Sequence, residues 1–218
     1  MKKYIVLIII IVCRPLPTLA QDWPTYRHDN QRSGTTDAVL TLPLARVWQF
    51  ESPAPPQRAW AGPAKWDAFA ALDNQRSMRD FDPAFYVTSD QNKVYFGSSV
   101  DDSVHCLDLD TGDQLWQFRT EGPVRLPPTL YKGRCYFGSD DGYVYCVDAH
   151  TAKLVWKYRP EENKKLIAFN GKLISQWPCR SGVLVQDNTA YFTLSLLPWA
   201  PSYICAVRAD DGTVIYKT

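Results

Sequence analysis

The 218-residue chain has no run of basic residues, and its 24 Lys and Arg balance 23 Asp and Glu. A near-neutral surface speaks against a nucleic-acid partner, because phosphate backbones are held by concentrated positive charge. Histidine is scarce: His28, His105 and His150 are far apart and lack the paired spacing of a zinc site. There is no nucleophile elbow, no phosphate loop and no His/Cys cluster, so those chemistries have no support in the sequence. The acidic pairs Asp101-Asp102 and Asp140-Asp141 offer two or three oxygens where calcium needs a convergent cage, and they read as turns. The apolar run at residues 4–12 is far short of the ~20 residues of a spanning helix, so no transmembrane span is expected in the mature chain.

What the first 20 residues do contain is the pattern of an export signal. Lys2 and Lys3 precede the apolar run, a Pro-broken stretch follows, and Thr18-Leu19-Ala20 places small residues where a signal peptidase reads. Cleavage before Gln21 and a periplasmic or extracellular destination are expected. Val12 before Cys13 is not the small residue that lipoprotein processing wants, which argues against a lipid anchor. Loss of the leader leaves 21 basic residues and Cys106, Cys135, Cys146, Cys179 and Cys205. An odd, scattered set does not describe a disulfide framework. Small buried side chains in packed sheets are the simpler reading. The alternative is a bridge between Cys135 and Cys146, which flank the turn 139–142 at equal distances.

The centre of the chain repeats itself. VYFGSSVDDSVHCLDLDTGDQLWQF, from Val94, is followed by CYFGSDDGYVYCVDAHTAKLVWKY, from Cys135. Cys106 and Cys146 lie 40 residues apart, as do Trp116 and Trp156, while Phe96 and Phe137 lie 41 apart. A period near forty in short alternating runs means one small antiparallel sheet per repeat. Residues 94–97, 104–107 and 115–118 read as strands, with a tight Asp-x-x-Thr-Gly turn at 108–112 between the last two. The second copy keeps Asp148, Thr151 and Trp156 but has Ala152 where Gly112 stood. A left-handed backbone there would cost Ala roughly 1 kcal/mol relative to Gly. Residues 190–216 form a weaker third copy, with Ala206 in the Cys slot, Arg208 in the Asp slot, Gly212, and Tyr216 in the Trp slot. Residues 47–50, around Trp48, repeat the Trp strand alone. Four-stranded sheets repeated around an axis make an all-β propeller, here an incomplete arc of about three blades plus one N-terminal strand.

The run from Cys106 to Trp116 resembles the A-x-D-x-x-T-G-x-x-x-W repeat of pyrroloquinoline-quinone (PQQ)-like β-propellers. The opening WPTYRHDNQRSG, from Trp23, resembles the start of many secreted members, and the likeness extends over residues 22–218. It implies a structural role, packing between blades, for Trp48, Trp116 and Trp156, with Tyr216 a departure. Asp108, Gly112, Asp148 and Gly212 belong to the same repeat. The expected organisation is a leader (1–20), a lead-in (21–43) and a partial propeller (44–218). Its blades fall near 83–119, 124–159 and 180–218, with a Pro- and Ala-rich insertion at 52–82 carrying Arg58, Trp60, Lys65 and Trp66.

Function is less legible, because a propeller licenses no activity by itself. The leading expectation is a secreted binding or scaffolding module without cofactor, metal or catalytic residues, taking a protein or small-molecule ligand on one propeller face. The family implies two alternatives: a PQQ-dependent alcohol or sugar dehydrogenase using PQQ and calcium, and an outer-membrane protein assembly factor. The family's adjacent-cysteine pair is absent here. Arg125 and Arg180 each stand twelve residues before a blade's Phe, Phe137 and Phe192, just ahead of an innermost strand. With Trp177 they form the candidate ligand site; two surface arginines bonding loop carbonyls are the plainer reading. Because the orphan Trp strand has no three partner strands and propellers run to about four to eight blades, the chain is expected to be part of a larger propeller.

Overall fold

The computed structural model describes residues 22–57, 59, 84–197 and 199–218. The leader, Arg58, Trp60, Lys65 and Trp66 lie outside them. The described residues form strands and no helix. Blade 1 comprises β1 (Val87–Asp90), β2 (Lys93–Ser98), β3 (Ser103–Asp108) and β4 (Gln114–Arg119). Blade 2 comprises β5 (Thr129–Tyr131), β6 (Arg134–Gly138), β7 (Val144–Asp148) and β8 (Leu154–Tyr158). A hairpin of β9 (Leu166–Phe169) and β10 (Lys172–Ser175) follows. Blade 3 comprises β11 (Leu184–Gln186), β12 (Thr189–Leu194), β13 (Tyr203–Arg208) and β14 (Val214–Lys217). Each blade is a four-stranded antiparallel meander in chain order. The innermost strands β1 and β11 both neighbour β5, so the sheets form an open arc.

Local chemistry explains the repetition. The first two strands of each blade are joined by a pair of residues at positive φ: Gln91-Asn92, Lys132-Gly133 and Asp187-Asn188. Two consecutive left-handed residues match the twist of the strands they join. Asn170-Gly171 does the same for the β9–β10 hairpin. The third and fourth strands are joined by the Asp-x-x-Thr-Gly turn. Asp108 Oδ1 accepts the Asp110 and Thr111 amides at 2.9 Å each, and Asp148 Oδ1 accepts those of His150 (3.1 Å) and Thr151 (3.0 Å). Arg208 keeps the turn's backbone bonds, Arg208 N to Thr213 O and Gly212 N to Arg208 O, and pairs its guanidinium with Asp210. A β-bulge falls at the same point of β3, β7 and β13.

Adjacent blades are clamped by one recurring contact. Trp116 Nε1 donates to Ala149 O of blade 2 (3.0 Å), and Trp156 Nε1 donates to Ala209 O of blade 3 (2.9 Å). The tyrosines of the second strands share these acceptors: Tyr95 Oη reaches Ala149 O and Tyr136 Oη reaches Ala209 O. Gly212 must lack a side chain because a Cβ there would meet the Trp156 ring at 2.9 Å. Trp48 makes the same clamp on blade 1, Nε1 to Leu109 O at 2.7 Å, with Gly112 beneath its ring. Residues 47–50 are nevertheless not a strand: Trp48 docks, but no ladder partner lies beside its backbone among the described residues.

Apolar side chains fill both gaps, with Val104, Cys106, Val124, Cys135 and Phe137 between blades 1 and 2 and Val144, Cys146, Trp156, Phe192 and Val207 between blades 2 and 3. The five cysteines are free and buried. Register excludes the Cys135–Cys146 bridge: Cys146 pairs with Tyr136 and Cys135 with Val147, so the two thiols lie on opposite faces of the sheet.

Candidate functional site

The lead-in follows the inner edges of the blades. Trp23 and Ser89 exchange backbone bonds, Leu130 N donates to Pro24 O (2.7 Å), and the Thr25 and Thr129 hydroxyls meet at 2.9 Å. Asn30 Nδ2 then donates to Val185 O (2.9 Å). One segment thus ties β1, β5 and β11 together along their inner edges. Nothing in its polar composition announces this, since the bonds are mostly to backbone.

One face of the arc carries the β2–β3 and β6–β7 turns and the segments entering β5 and β11. Arg125 and Arg180 each stand four residues before those strands and converge on Asp140 in the β6–β7 turn. Arg125 Nε meets Asp140 Oδ2 at 2.7 Å, while Arg180 grips both oxygens, Nε to Oδ1 at 2.8 Å and Nη2 to Oδ2 at 2.7 Å. Asp140 is 1% exposed and Arg125 7%. Arg125 Nη1 also donates to Gln57 O (2.6 Å), bringing the start of the 52–82 insertion to this face. Ser175 N donates to Asp140 O (2.7 Å), so the β9–β10 hairpin leans on the same turn.

The neighbouring Asp141 has a different environment. Burial pushes its carboxyl up, against the bonds it accepts from Tyr145 Oη (2.6 Å), Tyr143 N (2.9 Å) and Glu121 N (3.1 Å). Blade 1 repeats this arrangement with histidine. His105 Nε2 meets Asp101 Oδ2 at 3.0 Å and its ring stacks on Phe96, as Tyr145 stacks on Phe137. His105 with Asp101 and Ser103 is therefore a repeat feature enclosed in the blade. Trp177, grouped with the arginines by sequence, points elsewhere: its indole is buried in the core between blades 2 and 3 and donates to Pro201 O (2.9 Å).

Two guanidiniums grip one buried carboxyl group and fix the β6–β7 turn against the segments entering β5 and β11. That chemistry suits anchoring and recognition more than proton transfer. Beside the cluster, Arg180 borders a cavity of about 310 Å³ that Tyr26 and Arg32 of the lead-in also line. Among the described residues no three His, Cys, Asp or Glu side chains gather as a metal set, and no helix is long and apolar enough to cross a membrane. Sequence counting brought Arg125 and Arg180 to one slot but missed Asp140, read there as a turn residue. The available signal was its place three residues after Phe137, where blade 1 has Ser99.

Residues 45–218 match the family model described as outer membrane protein assembly factor BamB. No curated protein is significantly similar to the chain. Among solved structures, the quinohemoprotein alcohol dehydrogenase of Comamonas testosteroni superposes with a TM-score of 0.64 at 18% identity, over 90% of this chain and 27% of that one. The quinohemoprotein alcohol dehydrogenase ADHIIG of Pseudomonas putida HK5 gives 0.51 at 16% identity, over 60% of this chain and 19% of the other. BamB of Moraxella catarrhalis gives 0.40 at 19% identity, over 61% and 50%. The chain thus spans about a quarter or less of the two dehydrogenases, and the likeness to them is one of fold.

Proposed function

The chain belongs to the family described as outer membrane protein assembly factor BamB, and from that premise we propose an exported, non-catalytic propeller module that binds a partner on its Arg125–Arg180 face. The observation that carries this reading is the state of Asp140. A carboxyl buried between two arginines has both oxygens engaged, Oδ1 by Arg180 and Oδ2 by Arg180 and Arg125, which suits it to stiffening a binding face. The other reactive groups are equally withdrawn. Burial pushes the thiols of Cys106, Cys146 and Cys179 up to about 12, so thiolate chemistry has no ready nucleophile there.

The rival reading, a dehydrogenase carrying PQQ and calcium in the channel, is less well supported. The described residues fit that pair poorly: no two of the cysteines are adjacent in the chain, Asp140 is engaged by two arginines, and the lead-in lies along the inner edges of the blades. The experiment is a titration of the purified chain with PQQ and calcium, followed by absorbance and by dye-linked alcohol oxidation. Neither a bound-quinone spectrum nor turnover is expected; turnover that requires PQQ would overturn the reading in favour of the dehydrogenase. Co-purification with unfolded outer-membrane barrel chains would narrow the module to an assembly factor. Export itself is checked by N-terminal sequencing of the secreted product, expected to start at Gln21.

A further inference from the structure

We propose that the cavity between the lead-in and the entry to blade 3 binds an organic carboxylate, its oxygens held by Arg32 and Arg180 and its apolar body against Tyr26, Leu126 and Val183. The proposal rests on the binding-module reading and names the ligand class that one end of this face takes. At about 310 Å³ the cavity is the size of a small ligand site. Its lining includes two guanidiniums and no Asp or Glu.

The two arginines differ in how far they are engaged. Arg180 gives Nε and Nη2 to Asp140, which it shares with Arg125. Among the described residues Arg32 has no carboxylate within ion-pair distance: Nη1 donates to Thr25 Oγ1 (2.9 Å) and Tyr26 O (2.8 Å), and the guanidinium lies 5.7 Å over the Tyr26 ring. The nearest acid of the lead-in, Asp29, is capped by the amide and hydroxyl of Ser33. Burial lowers the Arg32 guanidinium below the usual arginine value, as for a cation kept partly from water. A planar carboxylate matches the remaining Nε–Nη2 fork of Arg32, which the Nη1 bonds to the Thr25 hydroxyl and the Tyr26 carbonyl orient in advance. Leu126, Pro127, Val183 and the Tyr26 ring give the wall its apolar part, with Thr129 and Ser181 as further polar members, the usual composition of a site in which a few polar groups fix orientation.

The test titrates benzoate, its neutral isostere benzamide, and inorganic phosphate into the purified chain, read from the amide resonances of Ser181, Gly182 and Val183. Saturable shifts are expected with benzoate, at least tenfold weaker with benzamide, and weaker with phosphate, which lacks the apolar body. Arg32→Met is expected to weaken benzoate at least tenfold with a melting temperature near that of the parent. If Arg32→Met proves poorly folded, Arg32→Lys keeps the charge without the fork and should lose several-fold. Absence of saturable benzoate shifts, equal binding of benzamide, phosphate binding in preference to benzoate, or full benzoate affinity in the folded Arg32 variants would each overturn the assignment. PQQ-dependent turnover would sink the module reading and leave these outcomes untouched, so the two failures are distinguishable.

Discussion

At the scale of single residues, the blade-to-blade clamp places an indole on a turn residue that has little or no side chain. The ring needs that space, and the turn needs a left-handed backbone: φ is 77° at Gly112, 58° at Ala152 and 76° at Gly212. Gly112→Ala would add both a strained φ and a Cβ at 2.7 Å from the Trp48 ring, and is expected to cost roughly 1–3 kcal/mol. Ala152→Gly removes strain already present; after the entropy of a freer unfolded chain it is expected to be neutral or to stabilise by up to about 1 kcal/mol. A loss for Gly112→Ala with no loss for Ala152→Gly in urea denaturation is the check. Trp156→Ala should cost roughly 3–5 kcal/mol, as truncating a buried aromatic does, and half-buried Trp116→Ala somewhat less. A loss below about 1 kcal/mol at Trp156 would mean that it is not core. The slots themselves were readable from spacing. What the indole touches was not, because its acceptor is a backbone carbonyl that any residue supplies: Leu109, Ala149 or Ala209.

At the scale of elements, the turns hold the charges. Asp108 is lowered first by the Thr111 amide, and Asp148 is lowered although burial opposes it, through Thr151 and His150. A carboxylate lowered on folding adds stability above its unfolded value near 3.9 and loses it as pH falls through the folded value. Stability is therefore expected to fall below about pH 4, and Asp108→Asn should flatten that limb in a pH series of chemical melts. The β6–β7 turn carries the greater load. Asp140→Asn removes the carboxylate that two largely buried guanidiniums grip and should cost roughly 3–5 kcal/mol, far more than a surface pair. A change within 0.5 kcal/mol would show that water relieves the cluster. Blade strands and hairpin turns were legible because alternation and Asn-Gly-type pairs are local signals. The Arg–Asp cluster was half legible: two members share a repeat slot, but the third comes from another blade position, and only packing joins them.

At the scale of the whole molecule, the outer face of blade 3 carries clamp positions that no described residue covers. Tyr95 and Tyr136 are each 1% exposed because the next blade covers them and accepts their hydroxyls, whereas the equivalent Tyr191 is 39% exposed. Tyr216 replaces the indole and is 43% exposed, with Ile204, Val214 and Ile215 open around it. The contrast between equivalent positions separates this face from the scattered apolar residues of any surface. Its outer margin is β14, which among the described residues pairs with β13 alone and has its other edge available to another strand. The opposite end is better protected, since Trp48 and Phe50 lie over blade 1, with Phe50 packed on Phe96 and His105. The two ends therefore differ in how readily they associate. Residues 21–218 expressed alone are expected to self-associate through the blade 3 face, with a sedimentation coefficient that rises with concentration. Replacing Tyr191 and Ile204 with lysine adds like charge to the exposed face without entering the core between blades 2 and 3, and should restore a monomer with an unchanged melting temperature. A wild-type chain that sediments as a single monomer across the concentration range would show that this face is stable in water as it stands. The tyrosines of blades 1 and 2 would then owe their burial to the chain's connectivity more than to any need of the surface.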